Sequence, residues 1–137
     1  TKSGELGRTT LSARCCLGGH ITVTDANPGA SHSCSCDLCQ KHTGAKSVIW
    51  LEFDADDGQW TGEGGKPAVW RSSEASSRAF CPRCGSSLGA IDDGPVIALL
   101  SGVFDQNQDA RFAPASHSFE DMKPQWWRAL FADGHGN

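Results

Sequence analysis

His32-Ser33-Cys34-Ser35-Cys36-Asp37-Leu38-Cys39-Gln40-Lys41 carries three thiols within six residues. A segment this short lets three sulfurs converge on one point, which is what a tetrahedral metal ion requires, whereas core packing alone gives no reason for such a density. The rest of the chain must supply a fourth ligand or leave the position open. Three protein ligands with an open position is the pattern of a catalytic rather than a structural zinc.

The other four cysteines fall into two short clusters, Cys15 with Cys16 and Cys81 with Cys84. Cys81-Pro82-Arg83-Cys84-Gly85 reads as a zinc knuckle: two intervening residues aim both thiols at one ion, and Gly85 permits the positive φ such turns often need. A closed site takes two further ligands, and the Cys15, Cys16 segment is the nearest source. Successive side chains of an extended segment point apart, so one of these two is expected to ligate and the other to pack. His20 is either the fourth ligand or an ordinary half-exposed strand residue. A reading in which all seven thiols serve purely structural zincs, with His32 or His42 filling the gap, also stays open. The tight clustering favours metal over disulfides.

A chain of 137 residues suits one domain. Residues 1–12 are polar and read as a flexible N-terminal arm, leaving 13–137 as a single zinc-binding domain. Short β-branched and aromatic runs recur between glycine and serine turns: His20–Thr24, Lys46–Phe53, Gln59–Thr61, Ala68–Arg71, Arg78–Phe80, Ser86–Ala90, Val96–Leu100 and His117–Phe119. That pattern predicts antiparallel all-β sheets built around cysteine turns, with little helix. Lys41 to Gly44 reads as one helical turn or a tight loop, and Pro124 to Leu130 as a short helix carrying Trp126 and Trp127.

The net charge of −4 and the lack of clustered Lys and Arg argue against a nucleic-acid surface. No apolar run approaches the roughly 18 residues of a membrane helix, and no export signal is visible, so the expected compartment is the cytoplasm. Lys41, His42, Arg71, Arg78 and Arg83 are the candidates to balance a three-thiolate zinc or hold a substrate carboxylate. His117 is either a proton shuttle or a structural histidine.

The thiol turn before Gly19, the Cys34, Cys36, Cys39 loop with Gly44, and Phe80-Cys81-Pro82-Arg83-Cys84-Gly85-Ser86-Ser87-Leu88 together resemble the glutathione-dependent formaldehyde-activating enzyme family, which includes centromere protein V. Trp60-Thr61-Gly62, Arg71-Ser72-Ser73 and the tail from His117 through Lys123-Pro124 extend the likeness over roughly residues 12 to 130. The resemblance implies a tent-like all-β fold with one structural zinc and a second, catalytic zinc. It matches Cys34, Cys36 and Cys39 to the catalytic trio and Cys81 and Cys84 to half of the structural site. The other half is normally two cysteines separated by one residue and followed by glycine. Setting Gly19 on that glycine places Cys16 on the first cysteine and Gly18 on the second, so a ligand is missing unless Cys15, His20 or water substitutes.

The implied activity is that of a carbon–sulfur lyase or synthase, with glutathione or another small thiol as co-substrate and S-hydroxymethylglutathione as the type of adduct. The alternative is a zinc-stabilised β scaffold that binds a protein or nucleic-acid partner and performs no chemistry.

Overall fold

The computed structural model describes residues 10–24, 31–106 and 108–127. Among the described residues ten strands form two sheets. β1 (Leu11–Arg14), β2 (Gly19–Val23) and β5 (Gly58–Trp60) make a three-stranded antiparallel sheet in the order β1-β2-β5. The seven-stranded sheet contains β3 (Ser31–Cys34), β4 (Val48–Asp54), β6 (Ala68–Arg71), β7 (Ser76–Phe80), β8 (Ser87–Asp92), β9 (Val96–Leu100) and β10 (Ser116–Ser118). Its order is β10-β3-β4-β9-β8-β7-β6. A helix, α1 (Asp37–Thr43), follows β3. Each of the eight expected runs overlaps an observed strand, β1 and β3 fall outside those runs, and the antiparallel expectation fails at one edge, where β10 runs parallel to β3.

β4 explains why the apolar run at Val48 to Phe53 lacks alternation: both faces of this strand are covered. Leu51 and Phe53 join Leu11, Ala13, Ile21, Val23, Ile97 and Leu99 in a core between the two sheets. Phe104 closes that core, its ring centroid 5.8 Å from Phe53 and 5.5 Å from Phe112. Trp50 points the other way, as the period of two along a strand requires, and packs with Cys34, Cys39, Ala90 and Leu100. Opposite faces of one strand therefore carry the main core and the thiol trio.

Two expectations are corrected. Leu11 and Ser12 do not belong to an arm: Leu11 is fully buried and pairs with Val23, because its side chain completes the core under the small sheet. The helix is not confined to Lys41–Gly44 but starts at Asp37, inside the thiol run. It begins there because Cys36 acts as its N-cap, Sγ accepting from the Cys39 N–H, and it ends where Gly44 adopts φ 81° and donates its N–H to Gln40 O. Residues 125–127 are helical, while the rest of the expected Pro124–Leu130 helix and the arm up to residue 9 lie outside the described residues. Among the described residues no helix is long and apolar enough to cross a membrane.

Candidate metal centres

The trio arises where β3 ends and α1 begins. Cys34 is the last residue of β3, Cys36 caps α1 and Cys39 lies one turn in, so a strand end and a first helical turn bring the three thiols together. All three Sγ atoms lie within 4.8 Å of one another, and Cys39 Sγ sits 3.5 Å from Cys34 Sγ. Sulfurs on a zinc tetrahedron with bonds of about 2.3 Å stand roughly 3.8 Å apart, so the trio fits a zinc ion in spacing and in ligand chemistry.

The electrostatics are uneven. Burial pushes the Cys34 thiol up to about 12, with the Cys36 backbone N–H opposing and the neighbouring thiols adding to the rise. At Cys36 burial also opposes charge, yet the Cys39 N–H and the adjacent thiols outweigh it and hold the pKa below the ordinary thiol value. Collecting thiolates here therefore calls for positive charge.

Of the five candidates, the structure brings Arg78 to the trio and His42 beside Arg78. Arg78, buried on β7, places both Nη1 and Nη2 at 3.8 Å from Cys39 Sγ. Its guanidinium lies 5.2 Å from the Trp50 ring centroid. Ala90 and Ala98, in line with Arg78 across β8 and β9, keep that face clear. Nη1 is also 3.3 Å from His42 Nδ1. A guanidinium only donates, so Nδ1 accepts and the ring hydrogen sits on Nε2. Burial first, and then the Arg78 charge, hold His42 below the usual imidazole range.

The other three cations are elsewhere. Lys41 reaches Asp37 at 3.6 Å on an exposed helix face, Arg71 chelates Asp93 and Glu74 O on the surface, and the Arg83 side chain is exposed in the knuckle.

His42 also lines a groove of about 390 Å³ whose walls include Leu38, Lys41, Trp70 and Phe80. Sequence reasoning missed Trp50 and Ser87 as supports of this region. Ser87 Oγ donates to His42 O and pins the end of α1 to β8. Neither residue type carries a sequence signal for such a role.

The second thiol group forms where a hairpin turn from each sheet meets. The knuckle is the turn between β7 and β8, closed by Cys81 N–H to Ser86 O at 2.9 Å and Gly85 N–H to Cys81 O at 2.8 Å, with Gly85 at φ 83°. From the small sheet, the β1–β2 turn is closed by Cys15 N–H to Gly18 O at 3.0 Å. Cys15, Cys81 and Cys84 have their Sγ atoms within 4.8 Å of one another. Cys15 thus takes the place the sequence register offered to Cys16, which is exposed with Sγ 3.9 Å from Ser86 Oγ. Ser86 Oγ lies 3.0 Å from Cys84 Sγ, and that hydroxyl, then its backbone N–H, lower the exposed Cys84 thiol to about 6. Burial raises Cys15 in contrast.

The remaining histidines stand outside both groups among the described residues. His20 is not half-exposed: the Thr61–Gly65 loop covers it completely, with Nδ1 2.9 Å from Gly65 O. His32 is half-buried on β3. His117 Nδ1 contacts Ser33 Oγ at 2.5 Å and Glu120 Oε2 at 3.6 Å. Both contacts use one nitrogen, so they do not form a relay through the ring.

A comparison with curated proteins finds no match. The family model described as "Glutathione-dependent formaldehyde-activating enzyme" matches residues 10–122, a span that contains both thiol groups and all ten strands. The chain belongs to the glutathione-dependent formaldehyde-activating enzyme family.

Proposed function

We propose that the chain is a zinc-dependent carbon–sulfur lyase or synthase acting on an adduct of glutathione or a related small thiol, such as S-hydroxymethylglutathione. The observation that carries this reading is the Cys34, Cys36, Cys39 group: three converging thiols with no fourth protein ligand among the described residues. Zinc held by Cys34, Cys36 and Cys39 would supply a Lewis acid able to lower the pKa of a substrate thiol. The chain's own contribution is positional. α1 fixes Cys36 and Cys39, Trp50 and Leu100 shield the trio on the sheet side, and the groove beside His42 offers room for the body of a small thiol. Cys15, Cys81 and Cys84 are assigned to a structural zinc, with Cys16 beside them at the surface.

A cytoplasmic location belongs to this reading, since all seven cysteines are free and a reducing compartment keeps them so. Cys36→Ser tests the proposal: zinc content at this centre and turnover of a glutathione–formaldehyde mixture should both fall. Unchanged turnover together with unchanged zinc content refutes it. A single zinc per chain, indifferent to added thiol, would instead support a non-catalytic scaffold.

A further inference from the structure

Arg78 is a buried cation without a carboxylate. It is 8% exposed, and among the described residues none of the ion pairs includes it. Its contacts are Cys39 Sγ through both terminal nitrogens, the neutral acceptor His42 Nδ1 and the Trp50 face. A guanidinium removed from water is costly unless an anion and further hydrogen bonds compensate it. The Trp50 face and a neutral imidazole nitrogen stabilise it only in part. Among the described residues in contact with it, the one that can carry full negative charge is Cys39 of the trio.

We propose that Arg78 is the built-in counter-charge of the Cys34, Cys36, Cys39 centre, a positioning residue whose guanidinium fork faces Cys39 Sγ. This rests on the reading of the trio as a zinc centre. Three thiolates around a divalent ion leave one net negative charge, and one guanidinium cancels it; a substrate thiolate arriving as fourth ligand would then meet a neutral rather than an anionic site. Lysine would preserve the charge and lose the fork through which both Nη atoms face one sulfur. Neighbours that orient a metal ligand typically contribute about 10- to 100-fold in metal affinity.

The test measures zinc affinity of each centre by competition with a chromophoric chelator in the full chain, for the parent, Arg78→Gln and Arg78→Lys. Cobalt substitution resolves the two centres by their thiolate-to-metal charge-transfer bands, with Cys36→Ser assigning the trio's band. The expected result is about a 10- to 100-fold loss at the trio for Arg78→Gln, partial recovery for Arg78→Lys, and unchanged affinity at Cys15, Cys81 and Cys84. A merely structural role would weaken both centres or neither.

A folded Arg78→Gln chain that binds metal at the trio as tightly as the parent overturns the proposal. A parent chain that binds no metal at the trio overturns the zinc reading itself, and with it this inference. Should Arg78→Gln fail to fold, the guanidinium nitrogen resonances of Arg78 in the parent, assigned through Arg78→Lys, decide the matter. They should shift when zinc is added to metal-free protein, and unchanged resonances refute the proposal.

Discussion

Gly64→Ala is the substitution whose cost can be worked most directly from the structure. A Cβ at position 64 would stand 2.5 Å from both Cε1 and Nε2 of His20 and 2.7 Å from Gly19 O. Carbon contacts are comfortable only near 3.5–4.0 Å, so something must move by about 1 Å. Neither neighbour can give cheaply. Gly19 O is backbone and already accepts the Gly64 N–H at 2.7 Å, while His20 is fully buried and tied through Nδ1 to Gly65 O.

Overpacking of this kind costs about 1–3 kcal/mol. Pushing the ring off Gly65 O adds about 1–3 kcal/mol for a buried group left without its partner. Even about 3 kcal/mol, toward the low end of the summed range of about 2–6 kcal/mol, should lower Tm by about 10–15 °C for a domain of this size. The assay is thermal unfolding followed by circular dichroism at fixed zinc and protein concentration, since bound metal shifts Tm by mass action.

Gly94→Ala is the control, because a Cβ there meets nothing within 4 Å. In a His20→Ala background the same Gly64→Ala change should cost much less, with Gly19 O as the remaining obstacle. A Gly64→Ala chain that melts within about 1 °C of the parent, where about 3 kcal/mol was expected, would refute the reasoning.

In the metal-free chain, thiol reactivity at pH 7 should follow the local fields. Cys84, lowered to about 6, is mostly thiolate there, and Cys36 is shifted in the same direction, whereas Cys34, raised to about 12, stays protonated. Brief iodoacetamide treatment followed by mass spectrometry should find Cys84 and Cys36 labelled first and Cys34 last, with Cys84 labelling falling as pH drops through about 6. Early labelling of Cys34 would contradict the burial argument. Leu51→Ala, at a fully buried site between the two sheets, should cost about 2–5 kcal/mol in a urea titration while the chain keeps its metal at the trio. Loss of that metal would show that the main core and the opposite face of β4 do not act independently.

Much of this was legible because it is local. The trio's spacing, the two-residue knuckle and the need for Gly85 at positive φ follow from neighbours in sequence, and the strand runs follow from side-chain type. What was not legible depends on distant segments. Nothing near Arg78 distinguishes it from Arg71 or Arg83; the choice is made by α1, which brings Cys39 and His42 to its guanidinium, and by small residues at Ala90 and Ala98 that leave room for it. His20 sits on a strand with no local reason to be fully covered, and its burial comes from a glycine loop some 40 residues later that passes close enough to exclude any Cβ at Gly64. The start of α1 escaped prediction because a cysteine, rather than serine or aspartate, accepts the capping hydrogen bond.

The choice between Cys15 and Cys16 shows how one turn decides a ligand set. Cys15 N–H bonds to Gly18 O, and Leu17 N–H points at Cys15 Sγ from 3.2 Å. This turn folds around the Cys15 sulfur, directs it inward to 7% exposure and leaves Cys16 outside. With Cys15 as the first thiol, the position two residues on is Leu17 and the following glycine is Gly18. Laid on the spacing that the resemblance implies, two cysteines separated by one residue and followed by glycine, that register moves the missing ligand from position 18 to position 17. Space supports the same assignment: a Cβ at Gly18 would press on Glu63 Cβ at 3.0 Å, whereas Leu17 is 45% exposed with its backbone already facing the Cys15 sulfur. In this register the position left without a thiol is the exposed Leu17 beside the knuckle, where Ser86 Oγ lies 3.0 Å from Cys84 Sγ and 3.9 Å from Cys16 Sγ.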